Sequence, residues 1–183
     1  RYSGNTESGS GRWLRLDAFT GGSEISIVDP YTVVGISRKN SGGVPANFAC
    51  YFILQFDIPM ADVLLETDTG KTDEGTRAWA ACRFDLQEVT IRVASSFISV
   101  EQAERNLAEV KGRSFDRIRL AGREAWNKVL GRIHVEGGTK DERTTFYSAL
   151  YRCLLFPRRF YEEDASGNFV HYSPYNGEVL PDR

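Results

Sequence analysis

The run Glu88-Val89-Thr90-Ile91-Arg92-Val93-Ala94-Ser95-Ser96-Phe97-Ile98-Ser99-Val100-Glu101-Gln102-Ala103 changes its hydrophobic period partway through. Before Ser99 it alternates: Val89, Ile91 and Val93 fall on one face, as in a half-buried strand. After Ser99 the apolar residues Ala103, Leu107 and Val110 recur at helical spacing. Ser99 and Gln102 stand where a capping box places its Ser and its Gln, so the helix starts there, and Gly112 is its stop.

Upstream of this change the chain reads as strands. Trp13 to Phe19 places Leu14, Leu16 and Ala18 on one face and Trp13, Arg15 and Asp17 on the other. Glu24 to Val28, Thr32 to Ser37, Tyr51 to Phe56 and Trp79 to Phe84 follow, separated by Gly21-Gly22, Asp29-Pro30, Asn40-Ser41-Gly42-Gly43 and Pro59. Downstream it reads as helices. Ser114 caps a helix whose apolar face is Phe115, Ile118, Gly122, Ala125, Trp126 and Val129, ended by Gly131. Thr139 to Glu142 is a second capping box. It opens a helix with a broad, buried-type stripe of Phe146, Ala149, Leu150, Cys153 and Leu154, stopped by Pro157. Arg158 to Tyr161 and Phe169 to Tyr172 are expected to form a hairpin around Asp164 to Asn168, with no element closing the last loop. Strands first and helices after predict an α+β chain: a partial antiparallel sandwich followed by helices.

Composition excludes several classes. The 183 residues carry 23 Lys+Arg against 25 Asp+Glu, a net charge of −2, so there is no basic footprint for nucleic acid. Hydrophobic residues are 41% and aromatics 12%, enough for a packed core. The longest apolar run, Ala49 to Leu54, falls far short of the ~18 residues of a membrane helix. Three cysteines do not make a disulfide scaffold. No signal peptide is visible, the first residue is Arg1 and the single methionine is Met60, so an internal piece of a longer protein is expected.

Residues capable of chemistry are few. Gly70-Lys71-Thr72 resembles a P-loop tail, but Leu65 stands where that loop needs glycine. Glu66, Asp68, Asp73 and Glu74 lack calcium-loop spacing and read as a solvated loop. Glu162, Glu163 and Asp164 are sequential carboxylates at a turn. That arrangement suits an acidic hairpin tip better than an acid and base placed across a sugar. His134 and His171 have no ligand-like spacing. His171 opens the polar aromatic stretch His171-Tyr172-Ser173-Pro174-Tyr175-Asn176-Gly177, a composition suited to ligand contact. Cys153 falls on a helical apolar stripe and reads as a core thiol, while Cys50 and Cys82 lie in or beside strands with no activating neighbour.

From Phe97 onward the order of motifs carries a resemblance. Phe97-Ile98-Ser99-Val100-Glu101-Gln102-Ala103 leads to Asn106-Leu107, and Ala125-Trp126-Asn127-Lys128-Val129-Leu130-Gly131-Arg132-Ile133 is followed by Val135-Glu136-Gly137-Gly138. Phe146-Tyr147-Ser148-Ala149-Leu150-Tyr151-Arg152 then precedes Leu154-Leu155-Phe156-Pro157-Arg158, and Val170-His171-Tyr172-Ser173-Pro174-Tyr175 comes last. Upstream, Ile27-Val28-Asp29 and Tyr51-Phe52-Ile53-Leu54-Gln55-Phe56-Asp57 fit the same pattern. This order resembles glycoside hydrolase family 92, the calcium-dependent exo-α-mannosidases.

The resemblance implies a β-sandwich over residues 1–98, a helical linker over 99–138, and the start of an (α/α)6 catalytic domain over 139–183. It implies inverting hydrolysis of terminal α-mannosides on mannose-containing glycans, a Ca2+ ion, and an extracellular or periplasmic location. It implies no nucleic-acid or membrane partner. The family's catalytic and metal-binding residues lie deeper in the barrel domain, so none is assigned here. Arg158, Tyr161 and His171 are the candidates for sugar contact, because aromatic and polar groups suit a sugar's C–H faces and hydroxyls. The alternative is a non-catalytic carbohydrate-binding sandwich with helices packed on it.

Overall fold

A computed structural model of the chain describes residues 12–19, 21–68, 77–86, 88–156 and 160–182. Ten strands and three helices follow in order: β1 (Arg12–Asp17), β2 (Glu24–Asp29), β3 (Thr32–Ser37), β4 (Cys50–Phe56), β5 (Asp62–Asp68), β6 (Arg77–Phe84), β7 (Ile91–Ser96), α1 (Val100–Ala108), α2 (Phe115–Leu130), α3 (Lys140–Cys153), β8 (Glu162–Glu163), β9 (Phe169–Tyr172) and β10 (Val179–Pro181). The fold is α+β. Its residues fall into two compact units, one drawn from Arg1–Lys111 and Tyr161–Arg183, the other from Gly112–Phe160.

The first unit is built on two antiparallel sheets, ordered β1-β6-β5 and β2-β3-β4-β7. The strict alternation of β6 explains the sandwich. Ala78, Ala80, Cys82 and Phe84 are buried while Arg77, Trp79, Ala81 and Arg83 face outward. The inward residues meet Ile25, Val33, Leu54 and Phe56 of the second sheet, with the Phe56 and Phe84 rings 4.9 Å apart edge to face. Small side chains on β6 let the larger ones of the facing sheet interdigitate. The far face of the second sheet is apolar too: Ile53, Val34 and Ala94 meet Ala103, Leu107 and Val110. The helix α1 therefore lies on β4 and β7 as a third layer.

The capping signal at Ser99 is half present. Ser99 Oγ accepts from the Gln102 amide at 3.1 Å. The Gln102 side chain does not return to Ser99; it donates to Asn106 Oδ1 at 3.0 Å and to the Glu163 carbonyl at 2.8 Å. At α3 the box is complete, with Thr139 and Glu142 bonded in both directions.

In the second unit α2 and α3 meet through Trp126 and Tyr151, whose rings lie 4.5 Å apart, and the Tyr147 hydroxyl donates to the Ile133 carbonyl at 3.0 Å. The stripe on α3 is not buried as its composition suggests. No residue of α2 or α3 is buried, and Phe146, Leu154 and Cys153 are exposed. Two helices share a single seam, here along Tyr147 and Tyr151, and the remaining apolar face has nothing in the unit to cover it. Cys153 is accordingly no core thiol.

Three further expectations are corrected. Glu66 and Asp68 belong to β5, which pairs with β6 from Asp62↔Arg83 to Asp68↔Arg77; the ladder outweighs weak alternation. Gly70-Lys71-Thr72, Asp73 and Glu74 lie outside the described residues. The hairpin pairs at Glu162↔Val170 and Glu163↔Phe169, and Phe160 and Tyr161 precede its first strand; Arg158 lies outside the described residues. The final loop is closed after all: β10 pairs with β9, Leu180 opposite His171.

Candidate functional site

The small sheet β8-β9-β10 carries the described candidates, and its construction starts at the turn. Asp164 accepts from the Ser166 and Asn168 amides, both at 2.8 Å, and Gly167 takes φ +79°, which the reversal requires. The Asn168 amide bond in particular holds the Asp164 carboxyl below its ordinary 3.8. This carboxylate builds the turn.

Alternation then sorts the two strands. One face carries Glu162, Val170 and Tyr172 and looks toward α1 and β7. Glu162 accepts from the Phe97 amide at 3.1 Å and from Asn106 Nδ2 at 2.6 Å. Tyr172 donates to Asn47 Oδ1 at 3.2 Å and sets its ring against Phe48, centroids 6.1 Å apart, while Phe48 stacks on Phe97. Asn47 Nδ2 also donates to the Gly177 carbonyl at 2.8 Å. A Cβ at Gly177 would sit 2.2 Å from Asn47, so glycine allows this approach. The hairpin is thus bolted to the sandwich by one face.

The opposite face is the candidate site. Tyr161 and Phe169 rings lie 4.6 Å apart. His171 stands two residues along β9 from Phe169 on the same face. His171 Nδ1 is buried without a hydrogen bond, and Asp182 Oδ1 lies 3.8 Å from it. Asp182 is fixed by its amide, which donates to the Phe169 carbonyl at 2.8 Å. Two of the three residues singled out from the sequence, Tyr161 and His171, therefore come to one face; Arg158 lies outside the described residues. Sequence reasoning missed Phe169 and Asp182. The signal for Phe169 was available, since i and i+2 on a strand share a face, but Asp182 is brought in only by β10. Tyr175 is 93% exposed at the tip of the following loop.

Glu162, Glu163 and Asp164 do not converge: the first binds α1, the second points the other way, the third builds the turn. Among the described residues no group of three or more His, Cys, Asp or Glu side chains comes together to hold a metal. Burial raises the Cys50 thiol, with the Glu162 charge adding to it, and pushes Cys82 up to about 11. Both stay thiols at neutral pH. His134 is a solvent-facing side chain 3.6 Å from Glu136. The face can contribute aromatic surface, an imidazole and a carboxylate, which is the chemistry of holding a polyhydroxylated ring.

The sequence model of the glycosyl hydrolase family 92 catalytic domain matches residues 102–183. The chain is similar to the family GH92 inverting mannosidase BT2199 from Bacteroides thetaiotaomicron VPI-5482, with 42% identity, a TM-score of 0.85, and coverage of 96% of this chain and 25% of that one. It shares its fold with the family GH92 α-mannosidase BT3965 of Bacteroides thetaiotaomicron, at 22% identity and a TM-score of 0.70, over 95% of this chain and 23% of that one. A second structure of that enzyme, in complex with mannoimidazole, matches with the same identity, TM-score and coverage. No curated protein matches the sequence. Sandwich, helices and hairpin together are the part of the fold that this chain shares with those mannosidase structures. Residues 102–183 carry the match to the glycosyl hydrolase family 92 catalytic domain, and the chain spans about a quarter of the length of the relatives whose structures it matches.

Proposed function

We propose that this chain is part of an enzyme that removes terminal α-linked mannose from mannose-containing glycans by calcium-dependent inverting hydrolysis. One observation carries the reading: 42% identity along 96% of the chain to an inverting mannosidase. Inversion uses a carboxylic acid on the leaving oxygen and a carboxylate that activates water on the opposite face of the sugar. In this proposal those groups and the calcium ligands are supplied by residues other than the ones described here. The part of this chain is to present Tyr161 and His171 to a sugar ring beside a hairpin bolted to the sandwich; Arg158 is proposed with them on its sequence alone. We place the domain borders near residues 98 and 138, and the enzyme in an extracellular or periplasmic compartment, on the family resemblance alone.

The test uses the full reading frame containing this chain. Aryl α-mannoside and α-1,2-mannobiose are expected to release mannose with inverted configuration, followed by NMR of the fresh product. A chelator is expected to abolish turnover and added calcium to restore it. Retention of configuration removes the mechanism, and chelator-resistant turnover removes the ion. The 183-residue chain by itself is expected to release no mannose.

A further inference from the structure

One nitrogen of His171 is left unanswered by the fold. Its Nδ1 is buried with no hydrogen bond, in a side chain that is 32% exposed. The covered edge of the ring is therefore the Nδ1 edge, and the open edge is the one that carries Nε2. A polar atom held out of water without a hydrogen bond costs free energy, and its surroundings decide which protonation form costs least.

Those surroundings are set by β10. Leu180 stands opposite His171, so Asp182, two residues on, returns to the same face. The bond from the Asp182 amide to the Phe169 carbonyl, at 2.8 Å, fixes the backbone there, and Asp182 Oδ1 comes 3.8 Å from Nδ1. That distance is too long for a hydrogen bond but close for a charge. A neutral imidazole carries one ring N–H, so one nitrogen donates and the other accepts. With the proton on Nε2, the Nδ1 lone pair is buried facing a carboxylate, and the two repel. With the proton on Nδ1, the N–H faces that carboxylate and is attracted. Glu163 shares the face by register, opposite Phe169, but Asp182 is the carboxylate set against this nitrogen.

We propose that Asp182 is a positioning residue: it holds the neutral His171 ring with its proton on Nδ1, and so leaves Nε2 as a hydrogen-bond acceptor on the open edge of the Tyr161–Phe169 face. That the incoming donor is a sugar hydroxyl rests on the mannosidase reading; the place of the proton rests on this geometry.

The chain has two histidines, and the other one is the control. His134 Nε2 lies 3.6 Å from Glu136 with both side chains exposed, where water weakens the hold of a charge. Nitrogen-15 NMR of the imidazoles, at a pH where both rings are neutral, reads which nitrogen carries the proton. His171 is expected mainly in the Nδ1–H form, and to lose that preference in Asp182→Asn while His134 is unchanged. A His171 ring with its proton on Nε2, or a preference indifferent to Asp182→Asn, overturns the proposal; the spectrum of the unaltered chain decides it if the variant does not fold. In the full reading frame, Asp182→Asn and His171→Ala are each expected to raise KM for α-1,2-mannobiose about two- to tenfold, the range of one lost hydrogen bond, with little change in kcat. The double variant is expected to match His171→Ala alone, because Asp182 acts through the ring. Losses that add in the double variant overturn the proposal. The expected spectrum with an unchanged KM upholds the hold of Asp182 on the ring and counts against this face as a sugar site.

Discussion

Gly35 shows how one missing methyl fixes a strand. It lies directly opposite Phe52, whose ring occupies the space a side chain would take: a Cβ there would come 2.2 Å from Phe52 Cζ and 2.8 Å from the Glu24 carbonyl. The ring can turn, but the backbone oxygen cannot easily move. Gly35→Ala is expected to destabilise the sandwich by about 1–3 kcal/mol, the cost of overpacking, read as a lower urea midpoint at unchanged slope. Asp17 offers a different kind of test. The hydrogen bond from Arg77 holds its carboxyl below its ordinary 3.8, against a smaller opposing effect of burial. A depressed carboxyl stabilises the fold above its unfolded pKa and loses that contribution as pH falls through the folded value. Asp17→Asn is therefore expected to cost about 0.5–1 kcal/mol at pH 7, a figure suited to a partly exposed pair. The two proteins should converge in stability as the pH falls through the depressed Asp17 value. A gap that persists in acid would mean that Asp17 acts through something other than its charge.

At the scale of elements, Gln102 joins pieces that are distant in sequence. It is buried, and its amide nitrogen donates to both Asn106 and the Glu163 carbonyl, so α1 carries the hairpin with it. Gln102→Ala leaves that carbonyl short of a donor, and a loss of about 1–3 kcal/mol is expected. Faster exchange at the Val170 and Tyr172 amides than at those of β4 would localise it; uniform acceleration would say that Gln102 matters only to α1. This residue also marks where the sequence stops being legible. Ser99-Val100-Glu101-Gln102 spells a capping box, and the start of the helix is right. A long-range acceptor competes for the glutamine side chain, and no local pattern contains that competitor. The strands with strict alternation, β1 and β6, were readable for the same reason that the cap was: their signal is local. The acidic β5 and the three-residue β10 are strands because a partner lies beside them. At the candidate face Tyr161 and His171 could be picked out by composition, whereas Asp182 arrives only through the pairing of β10.

For the molecule as a whole, the two units differ in how they are held. The sandwich has a closed core with Val33, Ala80 and Cys82 at 0% exposure, while α2 and α3 bury no residue. Helices of this length are marginal in water without tertiary packing. Amides in Thr145–Leu154 of the isolated chain are expected to exchange faster than those in Tyr51–Phe56. Equal protection in a demonstrated monomer would mean that the helical pair is a self-sufficient domain, and would favour the non-catalytic module.

The bolting of the hairpin has a consequence in time. Phe97, Gln102 and Asn106 find their partners at Glu162 and Glu163, and Asn47 finds its own at Tyr172 and Gly177. A ribosome delivers the strands first. Until it has also made and released the two intervening helices, the outer surface of α1 stays bare and the loop at Asn47 has nothing to grip. The sandwich emerges early from the tunnel and must wait for its last piece.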